Sequence, residues 1–170
     1  MLAIGSSQVP PRLRPREGGF TYVELLTVIV TLLIVVAIAI PRAGSVVQNL
    51  RLRGAAWQLA GDLRLARQRA VTLRTSVRIC ISGCAITVPT PIQAYSVEVY
   101  KGTPAVWVNE TGALIALPQD VGLSGNVNTV GFGSTGTADA GTFTVRNVQG
   151  CYGVVVGWTG QVQANRVNCP

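Results

Sequence analysis

The sequence predicts an α+β fold, a long N-terminal helix packed on a C-terminal antiparallel β-sheet head. Three observations predict it. Phe20 to Ile40 is almost wholly apolar, a run long enough to cross a bilayer as a helix. Leu52, Ala56, Leu59, Leu63, Ala66, Ala70 and Leu73 recur at alternating spacings of 4 and 3, which is one stripe at helical period. After Thr75 short β-rich runs alternate with Gly, Pro, Asn and Ser, the texture of antiparallel strands joined by tight turns.

The elements follow in order. Residues 1–19 are polar, carry Pro10, Pro11 and Pro15, and end in Gly18-Gly19; they read as a leader with no foldable pattern. Residues 20–41 form the membrane half of the helix. One carboxylate, Glu24, breaks the apolar run, and a charge at membrane depth costs roughly 2.5–3.5 kcal/mol. Residues 42–74 are the amphipathic stem. Gly54 and Gly61 weaken it by ~1 kcal/mol each and leave room for a bend. Trp57 falls off the stripe and reads either as a subunit contact or as a residue buried under the chain's own head. Residues 75–170 are the head, with strands expected at "TSVRICI", "AYSVEVY", "VNTVGFG", "TFTVRN", "YGVVVGW" and "QVQANRV", and a loop at "GSTGTADAG".

Composition narrows the chemistry. The chain has no histidine, which removes His-based triads, His general bases and His metal sites. No other base is spaced for catalysis, and no nucleotide or metal motif is present, so no enzymatic role and no cofactor is expected. The net charge is +7, but residues 42–78 hold eight arginines against Asp62 alone. Residues 79–170 hold Lys101, Arg146 and Arg166 against Glu98, Glu110, Asp120 and Asp139, so the head is nearly neutral. Four cysteines, Cys80, Cys84, Cys151 and Cys169, allow three full pairings.

"GGFTYVELL" is a short basic leader ending in Gly, then Phe, then Glu at the fifth place, then an apolar helix. It resembles the class III signal of type IV pilins and type II secretion pseudopilins, commonly GFTLIEL. The resemblance implies cleavage between Gly19 and Phe20 by a prepilin peptidase, and N-methylation of Phe20. It implies that Glu24 pairs with the terminal amine of a neighbouring subunit during assembly, and that Pro41 marks the end of the membrane-embedded part. A buried carboxylate needs such a partner. An ordinary secretory signal would have a shorter core without a charge.

Within that family, "LAGDLRLARQRAVTLRTSVRICI" resembles the stem-to-first-strand segment of the GspH/FimT/FimU group. Ala66, Arg67, Ala70, Val71 and Val77 fit its "ARxxAVxxxxxV" pattern. "CYGVVVGWTGQVQANRVNC" resembles that group's closing β-hairpin. Cys151 and Cys169 are equidistant from Gly160. A turn at Thr159-Gly160 would set them opposite each other as a clamp across two strands, with Cys80 and Cys84 closing the small loop "CISGC". Disulfides suit a head in an oxidising space; the alternatives are free thiols or a four-cysteine zinc site, which wants tighter paired spacing, so no metal is expected. Group members that bind DNA carry Gly-Arg-x-Arg in the hairpin, whereas the matching residues here are Gly160, Gln161, Val162 and Gln163. DNA binding rests largely on phosphate neutralisation, so Arg146 and Arg166 are weak candidates for nucleic-acid contact and DNA is a disfavoured partner.

The reading is therefore a non-catalytic structural subunit. The resemblance implies a minor pilin of a type IV pilus or a minor pseudopilin of type II secretion, at or near the filament tip. It further implies a single-pass protein of the inner membrane with a periplasmic head before it joins the filament, and, as partners, other pilins or pseudopilins, the prepilin peptidase and the membrane. The alternative is a DNA-binding minor pilin for DNA uptake.

Overall fold

The computed structural model describes residues 19–169; the side chains of residues 39–43 lie outside the described set. The expected leader falls outside it too, apart from Gly19.

Helix α1 spans Tyr22–Leu73 and continues through Pro41, whose side chain is not among those described. The chain divides into two compact units, Met1–Pro41 and Arg42–Pro170. In the first, the described side chains of α1 are exposed on every face, Leu25, Val28, Leu32, Leu33 and Val36 among them. Thr27 and Thr31 hide their hydroxyls by donating to carbonyls one turn back, at 2.8 and 2.9 Å. The described apolar stretch ends at Ile38, and among the described residues no helix is long and apolar enough to cross a membrane.

In the second unit the 3.6-residue stripe is buried as its spacing predicts. Leu52, Ala56, Leu59, Leu63, Ala66 and Ala70 are buried, joined by Ala55 and Ala60. Leu73 is a correction: it is exposed, because the helix closes there. Arg74 takes a left-handed conformation at φ 51°. The Thr75 N–H then bonds the Ala70 carbonyl at 3.2 Å, and the Arg74 N–H bonds that of Val71 at 3.4 Å. These two bonds are the Schellman pattern, which usually has Gly where Arg74 stands.

Nine strands follow among the described residues. The strands β1 (Val77–Cys80), β2 (Ala94–Lys101), β3 (Val106–Val108), β4 (Ile115–Ala116) and β6 (Thr129–Phe132) form one antiparallel sheet, in the order β3-β2-β1-β6 with β4 on β2. The strands β5 (Gly122–Gly125), β7 (Gly141–Asn147), β8 (Gly150–Val156) and β9 (Val162–Val167) form a second, in the order β5-β7-β8-β9. The helix stripe packs with Ile79, Tyr95, Val99, Val130, Phe132, Phe143 and Val154 in one core. Six strands lie where the sequence places them. β3, β4 and β5 were not expected. Two and three residues are too few to show a period, and "GLSG" is weak in strand formers.

Candidate functional site

Glu24 sits in the first turn of α1. Its N–H donates to Thr21 Oγ1 at 3.3 Å, and the Leu25 N–H donates to the Thr21 carbonyl at 3.1 Å. Thr-x-x-Glu is the order of a capping box, and a carboxylate there also faces the positive helix end. That local effect is worth about 0.3–1 kcal/mol, too little to offset roughly 2.5–3.5 kcal/mol for placing the charge in lipid. Phe20 and Glu24 are both exposed in the single chain.

Two stem arginines, Arg64 and Arg67, tie the stem to the head. Arg64 donates to the Val162 carbonyl at 3.1 Å and Arg67 Nε to the Gly136 carbonyl at 3.0 Å. Both acceptors belong to the end of the head where the closing hairpin turns. A Cβ on Gly160 would lie 2.3 Å from the Gly136 carbonyl oxygen and 2.7 Å from Arg67 Nε. Its φ of +75° disfavours a side chain as well. The Gly of the hairpin and the Arg of "ARxxAV" are thus two halves of one close contact. Farther down the stem, Asn147 and Gln149 of the β7–β8 turn hold Gln48 at 3.0 and 2.9 Å. Trp57 is 47% exposed, so it is not buried under its own head.

Both cysteine pairs are disulfides, Cys80–Cys84 and Cys151–Cys169, with Cα atoms 5.7 and 5.3 Å apart. The hairpin register differs from the expected one by two residues, its centre moving by one. Cys151 pairs with Val167 and Val156 with Val162, so the ladder centres on Thr159. The reason is the turn: the Gly160 N–H donates to the Gly157 carbonyl at 2.8 Å, and the Gly157 N–H to that of Gln161 at 3.0 Å. Cys169 therefore closes on Cys151 from two residues beyond its ladder partner.

A buried network went unread in the sequence. Arg78 and Glu98 are directly opposed on β1 and β2, and Arg78 Nε donates to Glu98 Oε2 at 2.7 Å. Glu98 is fully buried. Its Oε1 accepts from Ser96 Oγ at 3.0 Å and from the Ala85 N–H at 2.6 Å. Arg78 also stacks on Trp107, 4.2 Å from the ring centroid. The available signal was one charge of each sign interrupting two apolar strands. Cys80, Cys84 and Glu98 hold donor atoms within 4.8 Å of one another, but the thiols are joined and the carboxylate is occupied. A second such group is Tyr95, whose hydroxyl donates to Asp62 Oδ2 at 2.5 Å. Burial first, then that hydrogen bond, pushes the Tyr95 hydroxyl far above its ordinary value.

Arg146 and Arg166 are both exposed, yet the sheet separates them. Arg146 pairs with Cys151, and Arg166 with Tyr152. Cys151 and Tyr152 are consecutive, so they point to opposite faces of the sheet, and each arginine follows its partner. Arg166 is further engaged, donating to the Gln149 carbonyl at 3.3 Å.

The chain resembles two solved structures over about two thirds of its length. The type IV minor pilin FimU of Pseudomonas aeruginosa aligns with a TM-score of 0.51 at 17% identity, covering 69% of this chain and 90% of that one. The minor pseudopilin EpsH from the type 2 secretion system of Vibrio cholerae aligns at 0.55 and 12% identity, covering 68% and 97%. At such identities the likeness is one of fold. No curated protein sequence matches significantly. The family model for type II transport protein GspH matches residues 55–160, from the stem stripe to the Gly160 contact. That match takes in more than half of the sequence, and the chain belongs to the GspH family of pilin-like structural subunits.

Proposed function

We propose that the chain is a minor pilin or pseudopilin that joins a type IV pilus or a type II secretion pseudopilus through its N-terminal helix, at or near the tip. Glu24 carries the reading: a carboxylate opening an apolar helix, five residues after a Gly, in a chain of the GspH family. Cleavage after Gly19 exposes the Phe20 amine, which is then methylated. The run from Phe20 to Pro41 anchors the subunit in the inner membrane with the head in the periplasm. On assembly the helix is buried among its neighbours, and the amine of an adjoining subunit neutralises Glu24. The pairing fixes register more than it adds stability.

Glu24→Ala tests this. The variant is expected at the membrane, processed, at wild-type level. Filament entry should fall about tenfold or more, as for a charge pair broken in an apolar bundle. Wild-type entry would contradict the pairing. Gly19→Glu should abolish cleavage, and an unchanged mature mass would refute the leader assignment. The DNA-uptake alternative has less support, since Arg146 and Arg166 share no face and the head is nearly neutral.

A further inference from the structure

Asp62 differs from the other carboxylates that are not exposed. Glu98 has Arg78 and Asp120 has Arg51 within ion-pair range. Asp62 is half-buried on the stem and, among the described residues, has no cation in range; the Tyr95 hydroxyl is its recorded partner. Beside it opens a cavity of about 280 Å³ walled by Leu65, Ala66, Val97, Ala113 and Ile115. Arg69 stands at the same cavity, seven residues along the helix from Asp62. Among the described residues the two form no ion pair.

A carboxylate drawn partly out of water is costly unless a cation meets it. Apolar walls leading to such a carboxylate match the methylene stem and charged end of a long basic side chain. We propose that this cavity receives a lysine or arginine side chain from a neighbouring filament subunit, its stem against Leu65, Val97 and Ile115 and its cation on Asp62. The inference rests on the filament-subunit reading and adds a second charge contact in trans, made by the head rather than the membrane helix.

The test uses the full-length chain in cells that assemble the filament. Asp62→Asn keeps an acceptor for Tyr95 and removes the charge; Asp62→Lys reverses it. Membrane levels and protease resistance are expected at wild-type values for Asp62→Asn. Its filament entry should fall severalfold, and that of Asp62→Lys about tenfold or more, as when one partner of a desolvated charge pair is removed. A photo-reactive residue at Thr111, on the cavity rim, leaves Asp62 intact and covers the case in which Asp62→Lys misfolds. It should cross-link to a segment of another subunit that contains Lys or Arg. Normal entry of both Asp62 variants, or cross-links only to segments without a basic residue, overturns the inference while the subunit reading stands. Absence of the wild-type chain from filaments overturns the subunit reading, and this inference with it.

Discussion

The two stretches of α1, Tyr22–Ile38 and Leu52–Ala70, are both helical and both rich in leucine, yet their side chains have opposite fates. Leu33 is 60% exposed and Leu59 is 0% exposed. In the stem, apolar residues fall on one stripe, arginines occupy the flanks, and the chain's own sheets cover the stripe. In the first stretch apolar residues point all ways and, among the described residues, nothing covers them. Hydrophobicity alone does not make a core; periodicity tells which surface the chain buries itself, and its absence marks a surface left to be covered by something else.

Paired substitutions can break or sharpen this contrast. The largest effect is expected from Leu59→Ala, which leaves a cavity in the seam and should lower unfolding free energy by about 2–5 kcal/mol. Thermal or urea unfolding of the chain in micelles measures it, and a loss below about 1 kcal/mol would mean that the stem is not core. Next comes Gly160→Ala. A Cβ against the Gly136 carbonyl, at a left-handed φ, should destabilise by about 1–3 kcal/mol; reducing Arg67 to Ala in the same background should recover little, because the tighter clash is with backbone. Arg74→Gly runs the other way. Removing a side chain from the left-handed cap should stabilise by about 1 kcal/mol, read as a raised urea midpoint with unchanged slope. Smallest is Leu33→Ala, which should leave head unfolding within about 0.5 kcal/mol of wild type; a loss like that of Leu59→Ala would erase the contrast.

What the sequence revealed follows the same division. The stripe was legible from Leu52 to Ala70 because a helix repeats its partners every three or four residues. It failed at Leu73 because a cap depends on the left-handed turn of Arg74, and arginine does not announce one. The long strands showed their alternation; β3, β4 and β5 were too short or too glycine-rich to do so. The Cys151–Cys169 pairing could be argued from symmetry, but its register could not, since the Gly157–Gln161 turn sets it by backbone hydrogen bonds. Arg78, Glu98, Asp62 and Tyr95 stayed hidden because each pair is distant in sequence, and only the folded sheet shows which charges meet.

The ties from Arg64 to the Val162 carbonyl and from Arg67 to the Gly136 carbonyl have a mechanical consequence. A pull along the stem is resisted in shear, with both guanidinium links and the buried leucines loaded in parallel instead of yielding one after another. The stem cannot slide by a turn without breaking both links at once.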